Sequence, residues 1–169
     1  MKTLVVRWFL TGLFATLIMD LGAALVRATG LTAGLPPPLL GRWFAAVVRG
    51  ELGPRPILLA PPLHGEVPVA LVGHYLIGIG LTALFLTLAL GARLEPRPAT
   101  QLGLALGFGI LTNLLPWLVM FPSMGFGPFG QRAPAALLLF RTSFVNHVIF
   151  GVGLGLASLG LRSWHPSWR

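Results

Sequence analysis

The chain has 169 residues, of which 55% are hydrophobic and 9% are charged, and its formal net charge is +8. A soluble domain carries about 25% charged residues, so these side chains are too few to cover a water-facing surface. The composition excludes an ordinary soluble protein and predicts one integral membrane domain.

The basic residues are scattered singly, and most of them flank apolar segments, where arginine anchors a span and sets its orientation. Because no basic cluster or recognition motif is present, nucleic acid is excluded as a partner. The absence of cysteine from the sequence removes disulfides, thiolate metal ligands and cysteine nucleophiles.

Four segments are long and apolar enough to cross roughly 30 Å of hydrocarbon, which takes about 20 helical residues. Asp20 interrupts the first segment, so we expect a retained first span and not a cleaved signal peptide. Pro116 lies in the third segment, and membrane helices tolerate proline where neighbouring groups satisfy the freed carbonyl. The predicted spans cover approximately residues 7–27, 69–91, 101–121 and 136–160.

The connection between the first two spans, residues 28–68, contains the pattern of a short helix. Its segment "PPPLLGRWFAAVVRG" starts with prolines, which suit the first turn of a helix. Apolar side chains then share one side, and Arg42 and Arg49 lie on the other, so we predict an interfacial amphipathic helix anchored by Arg42, Trp43 and Arg49. The following "PILLAPPLHGEVP" is too short and too rich in proline to span, and we expect it to fold back against the helices.

The distribution of lysine and arginine predicts which ends of the spans face the cytoplasm. With the N-terminus inside, six basic residues lie inside and five lie on the other side, where the long connection counts weakly. We therefore expect both termini to be cytoplasmic. The six are Lys2, Arg7, Arg93, Arg97, Arg162 and Arg169, and the five are Arg27, Arg42, Arg49, Arg55 and Arg132.

Polar side chains from all four spans are predicted to lie between the bilayer centre and one membrane face. Successive spans run in opposite directions, so position along the chain converts to depth at about 1.5 Å per residue. The side chains concerned are Asp20, His74, Asn113, Arg141, Asn146 and His147, joined at that face by His64 and Glu66 of the connection.

Helical phase predicts that these side chains face the interior of the bundle. Four of the six, one from each span, share a stripe spaced by four with small residues that allow neighbouring helices to approach closely. The stripes are Gly12, Thr16 and Asp20; His74, Gly78 and Thr82; Gly109, Asn113 and Trp117; and His147, Gly151 and Gly155.

Two interpretations of this polar cluster stay open. A carboxylate within a span costs about 2.5–3.5 kcal/mol on insertion scales, so Asp20 either pairs with Arg141 to hold the bundle together or serves a site. His74 and His147 with Asp20 and Glu66 would suit a divalent ion such as Zn, Fe or Mn, whereas hydrogen bonding between helices is the alternative. Haem is less favoured, because His147 is predicted to lie deeper than His74.

The chain resembles a bacterial family of small four-helix inner-membrane proteins, catalogued as domain of unknown function 2938. The resemblance implies this architecture and a bacterial inner-membrane location, and it implies no activity. The motifs that carry it are "TGLFATLIMDL" (11–21), "GRW" (41–43), "PPLHGE" (61–66), "GHYLIGI" (73–79), "MFPSMGFG" (120–127) and "NHVIFGVGLG" (146–155).

The sequence thus predicts an all-α membrane bundle of four spans, with the lipid bilayer as its first partner. Our leading hypothesis is a site for a small ligand, proton or metal ion, and its rival is an accessory subunit of a larger membrane complex or homo-oligomer. A membrane enzyme using His64 and Glu66 as acid and base is a third class, although no nucleophile, HExxH or nucleotide-binding motif appears. In the leading hypothesis the interior is formed by Asp20, His74 and His147, with Arg141, Asn113 and Asn146 orienting them and Glu66 at the mouth.

Overall fold

The structure is a computed structural model that describes residues 2–92 and 97–161. These residues form helices, turns and irregular segments and contain no strand, which confirms the predicted all-α class. Arg93, Arg162 and Arg169, which entered the topology prediction, lie outside the described residues. The α-helices are α1 (Lys2–Ala28), α2 (Pro37–Val48), α3 (Glu66–Gly91), α4 (Pro98–Leu111), α5 (Phe121–Ser123) and α6 (Ala136–Gly160).

Four helical stretches are long and apolar enough to cross a membrane, as the sequence predicted. Each predicted span lies within one of them, and the observed stretches extend it by no more than a turn at either end. They are Leu4–Ala28, Glu66–Gly91, Pro98–Ser123 and Ala136–Gly160.

The third span changes its winding at Pro116. Proline has no backbone N–H and its ring clashes with the carbonyl four residues earlier, so a regular α-helix does not continue through it. After α4 ends at Leu111, a π-helical turn covers Pro116–Met120 and leads into α5. The backbone N–H of Trp117 donates to the carbonyl of Asn113 at 3.1 Å within this region. Proline in this span therefore produces a local π-turn.

The chain divides into two compact units. The first comprises Met1–Ala24, Tyr75–Leu111 and Asn146–Arg169, and the second comprises Leu25–His74 and Thr112–Val145. In the described part of the first unit, apolar side chains from all four long helices form one core. Its buried members are Ala15, Met19, Phe85, Ala105, Phe150 and Leu154.

Small residues bring the helices of the first unit close together, as the predicted stripes required. A methyl group at Gly12 would lie 2.6 Å from the Cα of Ile79, so α1 and α3 touch there backbone to backbone. A methyl group at Gly109 would lie 2.5 Å from the Cα of Gly151, so α4 and α6 touch in the same way. Close backbone approach of this kind is how membrane helices associate without a hydrophobic driving force.

The second unit is built around the two long connections. The backbone N–H groups of Arg55 and Ile57 donate to the carbonyls of Ser123 and Met124, each at 3.0 Å. Ile57 then packs into a buried apolar cluster with Phe121, Met124 and Phe126. The segment after α2 therefore folds back onto the end of the third span, as expected from its length and its prolines.

The helix predicted in the first connection is present as α2. It begins with proline at its first positions and buries Gly41 and Ala46. Gly41 has no room for a side chain, because a methyl group there would overlap the carbonyl of Glu66 at the start of α3. The location of α2 at the membrane interface stays a prediction.

Candidate intramembrane polar site

Asp20 lies inside the first membrane-length helix and accepts a hydrogen bond from a tyrosine of the second span. The hydroxyl of Tyr75 on α3 donates to Oδ2 of Asp20 at 2.9 Å. Both residues are half-buried and both belong to the first unit. The contact continues the α1–α3 packing, since a side chain at Gly78, one turn along α3, would overlap the hydroxyl of Thr16. The stripe of Gly12, Thr16 and Asp20 thus faces α3, and the Asp20 carboxylate is hydrogen-bonded to that helix.

Asn146 on α6 supplies a second polar group to the first unit. Its Oδ1 is buried and has no hydrogen-bond partner among the residues that the structure describes. Asn146 lies one turn before Ile149, which packs against the backbone of Gly22, two residues after Asp20. Buried amide oxygens are nearly always paired, so this acceptor needs an explanation such as a ligand or a bound water.

His147 lies beside the α4–α6 contact. Its backbone carbonyl oxygen would lie 2.6 Å from a methyl group at Gly109, which places this turn of α6 directly against α4. The side chain is half-buried. Further along the same contact, Nε2 of Gln101 donates to Oγ of Ser158 at 2.7 Å, with both residues buried. This buried polar pair crosslinks α4 and α6 within the first unit.

In the second unit, Glu66 is engaged by an arginine of α2. Arg42 donates from Nε to Oε2 of Glu66 at 2.7 Å and from a terminal nitrogen to Oε1 at 3.2 Å. The same guanidinium reaches the carbonyl of Ala60, and the backbone N–H of Leu63 donates to Glu66. The hydrogen bonds to Glu66 raise the pKa of Arg42 above its ordinary value. This bidentate pair fixes "PPLHGE" against α2, so Glu66 has a structural role in addition to the one predicted at the mouth of a site.

The other two predicted interfacial anchors, Trp43 and Arg49, differ in their surroundings. Trp43 donates its indole N–H to Oγ of Ser123 at 2.7 Å, so it ties α2 to the third span. Arg49 and Arg55 are about half exposed and both pair with Glu51. The hydrogen bond from Arg49 is the main cause that holds the pKa of the Glu51 carboxyl below its ordinary value, and the positive charges of both arginines lower it further. The two ion pairs therefore stabilise the fold at neutral pH. This contribution to stability is lost as the pH falls through the pKa that Glu51 has in the folded state.

Three other predicted site residues, Asn113, His74 and Arg141, lie in the second unit. Asn113 is fully buried, and its Oδ1 accepts from Oγ of Ser143 on α6 at 3.0 Å. His74 is half-buried, and His64 is exposed in the turn before α3. Arg141 is exposed and takes part in none of the ion pairs seen within the described residues of this unit.

The structure gives no support to a metal centre. Within residues 2–92 and 97–161, no group of three or more histidine, aspartate or glutamate side chains comes together as a metal ion would require. The first unit holds Asp20, Asn146 and His147 of the predicted set. The second unit holds Glu66, His74, Asn113 and Arg141, and a single site formed by all seven stays a prediction.

A family model for proteins of unknown function, DUF2938, matches residues 9–160. The chain belongs to this family. The match covers the last three spans in full and the first span from residue 9 onward, and it confirms the resemblance carried by the six short motifs. A search of curated proteins and a search of solved structures each returned no match. Membership fixes the family of the chain and leaves its activity to be argued from its own residues.

Sequence reasoning missed the partners that hold the predicted residues. Tyr75 is the only tyrosine in the chain and directly follows His74, and both facts marked it as a candidate polar residue. Its contact with Asp20, however, depends on the register between α1 and α3. Ser123, Ser143 and Ser158 are ordinary residues of membrane helices, and nothing in their spacing points to Trp43, Asn113 or Gln101. A helical stripe predicts which helix face is polar, whereas the pairing requires the fold.

Proposed function

We propose that this family member is a small multi-pass membrane protein that binds or passes a proton or another small ligand at Asp20 in its first unit. The observation that carries the proposal is the hydrogen bond of 2.9 Å from Tyr75 to the Asp20 carboxylate, inside helices long enough to span a membrane. Ionisable residues at such positions are costly, and they commonly mark proton relays or substrate pathways.

The chemistry of the polar groups in the first unit favours a ligand that donates hydrogen bonds. An ionised carboxylate only accepts hydrogen bonds, and that of Asp20 accepts one from the Tyr75 hydroxyl. The buried Oδ1 of Asn146 is a further acceptor and has no partner among the described residues. Acceptors of this kind suit a proton, a protonated amine or a hydrated cation better than an anion. His147, at the next position of α6, adds an imidazole, which can both donate and accept a hydrogen bond.

The remaining residues enter the proposal with roles predicted from the sequence. His74 and Asn113 would extend the polar path, Arg141 would balance its charge, and Glu66 would lie at its mouth. A divalent ion bound by Asp20 and the histidines is the less favoured form, because the described residues provide no three-ligand group. Metal analysis of the purified protein tests that form directly.

We further propose that the chain resides in the bacterial inner membrane with both termini in the cytoplasm. The orientation rests on the lysine and arginine count, and the location rests on the resemblance that the family match confirms. The polar half of the bundle would then open away from the cytoplasm.

Proton flux into proteoliposomes tests the function. Vesicles containing the purified chain and an internal pH dye are given a potassium diffusion potential, and acidification is followed over time. Asp20→Asn should abolish the protein-dependent flux, and Tyr75→Phe should reduce it, because the phenol orients the carboxylate. Glu51→Gln, which removes a half-buried carboxylate of the connection outside the four spans, is the matched control and should leave the flux unchanged.

Equal flux through the wild type and Asp20→Asn would reject proton passage. The same preparations are then assayed for binding of a protonated amine, with methylammonium as the probe. If Asp20→Asn binds it as the wild type does, the ligand-site proposal fails. Stable co-purification with one stoichiometric partner would in that case favour an accessory subunit.

A further inference from the structure

Four aromatic side chains of the second unit form a cluster that the Asp20 site does not use. Trp117 stacks on Phe140 with ring centroids 4.6 Å apart and an interplanar angle of 15°. It lies nearly parallel to Phe144 at 6.5 Å and makes a tilted contact with Phe129 at 5.6 Å. We call Trp117, Phe129, Phe140 and Phe144 the Trp117 cluster.

The indole N–H of Trp117 is the polar feature of this cluster. Nε1 is buried and has no hydrogen-bond partner within the part of the chain that the structure describes. Trp43 in the same unit is satisfied, since its indole donates to Ser123 at 2.7 Å. Buried indole groups usually find a partner, because an unmade hydrogen bond forfeits the one that water would supply. Of the two tryptophans in this unit, Trp117 is the one whose buried indole N–H has no partner among the described residues.

The backbone around the Trp117 cluster departs from regular geometry at two places. Trp117 lies in the π-helical turn Pro116–Met120, and such turns are frequent at functional sites. Phe129 has φ of 57°, in the left-handed region that non-glycine residues rarely adopt. Strained residues of this kind persist where the surrounding structure holds them and cluster at ligand-binding sites.

The chemistry of the Trp117 cluster selects among ligands. A lone N–H donor among phenylalanine rings gives water one partner, whereas buried waters typically make about three hydrogen bonds. A cation is disfavoured, because the positive end of the N–H dipole would face it. A carbonyl oxygen accepts from an N–H, and a flat ring stacks on aromatic faces. Phe129 and Phe144 are 44% and 39% exposed, so part of each side chain is accessible at the cluster.

We propose that the Trp117 cluster binds a planar, membrane-dissolved carbonyl compound of the quinone class. One carbonyl oxygen accepts a hydrogen bond from Nε1 of Trp117, and the ring packs against the exposed parts of Phe129 and Phe144. The isoprenoid tail of such a compound remains in the lipid. The role is binding alone and is independent of the proton or ligand site at Asp20.

Nuclear magnetic resonance of indole groups tests this binding directly. The full chain is labelled with ¹⁵N-tryptophan, placed in nanodiscs of diether lipid and titrated with decylubiquinone. The chain has five tryptophans, and Trp117→Phe and Trp43→Phe assign the indole signals of these two residues by their loss. Quinone should shift the Trp117 indole proton downfield in a saturable manner and leave the Trp43 signal in place. Trp117→Phe should also weaken decylubiquinone binding by about three- to tenfold, because it removes one hydrogen bond.

Three results would overturn the proposal. The first is a Trp117 signal that does not move with decylubiquinone in the wild type, a measurement that needs no variant to fold. The second is an equal, unsaturable drift of both indole signals, which marks nonspecific partitioning. The third is a shift on exchanging diether for diester lipid that quinone does not reverse, which assigns the donor to the ester carbonyl of a phospholipid.

Discussion

Tyr75 supplies the Asp20 carboxylate with a hydrogen bond in a region where water is scarce. Hydrogen bonds between membrane helices measure about 0.6 kcal/mol on average and reach about 1.7 kcal/mol. We expect Tyr75→Phe to lower the stability of the detergent-solubilised protein by an amount in this range, read from thermal unfolding. The variant keeps the ring, so lost packing does not contribute.

A double-mutant cycle isolates that interaction from other effects of either change. In the Asp20→Asn background, Tyr75→Phe should cost clearly less than it does in the wild type, since the charged acceptor is already gone. Identical costs in both backgrounds would mean that the phenol stabilises the fold without acting through Asp20.

Glu66 and Glu51 can be compared directly, because each is a glutamate of the second unit whose carboxylate forms an ion pair with arginine. Glu66 and Arg42 are bidentate, with side chains 15% and 14% exposed, whereas Glu51 bridges two arginines that are more than half exposed. Exposed pairs contribute little, because solvent screens them and side-chain entropy opposes them. We expect Glu66→Gln to lower the melting temperature distinctly more than Glu51→Gln. A larger loss for Glu51→Gln would contradict the structural role given to Arg42 and Glu66.

At the scale of helices, two glycines of α4 are predicted to respond in opposite ways to replacement by alanine. A methyl group at Gly109 would collide with the backbone of α6 at Gly151, whereas nothing lies within 4 Å of one at Gly107. Gly109→Ala should destabilise the protein by about 1–3 kcal/mol, as overpacking does. Gly107→Ala should be neutral or slightly stabilising, because alanine favours helix more than glycine by about 0.5–1 kcal/mol. Thermal unfolding of the two variants side by side measures the difference.

Similar destabilisation by both alanines would contradict the close α4–α6 contact. The comparison is internal to one helix, so detergent, expression level and helix propensity act on both variants alike.

The four spans could be predicted from the sequence, because each is long enough to cross a membrane and carries few charges. The stripe of Gly12, Thr16 and Asp20 was also readable, since a spacing of four residues places side chains on one helix face. The π-turn at Pro116 was not, because membrane helices accommodate proline in several ways and neighbouring groups decide which one occurs.

The candidate site was predictable in its residue types and only partly in its contacts. Asp20 is conspicuous as a carboxylate in an apolar segment, but its bond to Tyr75 depends on how α3 is rotated and shifted against α1. Glu66 was expected at the mouth of a site, and its bidentate pair with Arg42 arises because α2 folds onto the start of α3. Tertiary register is the information that a single sequence lacks.

For the whole molecule, the predicted orientation is readily tested because the chain has no cysteine. Single cysteines placed at Ala92, directly after the second span, and at Gly53, in the connection before that span, provide one reporter on each side. Both positions are exposed, and a side chain at Gly53 meets no atom within 4 Å. With cytoplasmic termini, a membrane-impermeant maleimide added to intact cells should label Gly53→Cys and spare Ala92→Cys. The reverse pattern would invert the orientation, and the polar half would then open to the cytoplasm.

The most direct test of the Asp20 site is infrared difference spectroscopy of the purified protein in lipid. A carboxyl group that takes up a proton gains a carbonyl stretching band, and this band shifts when its hydrogen bonding changes. If Asp20 exchanges protons within the membrane, a pH titration should produce one such band that is absent in Asp20→Asn and shifted in Tyr75→Phe. If the titration spectra of Asp20→Asn and the wild type are identical, Asp20 does not exchange protons, and the proton-site proposal is contradicted.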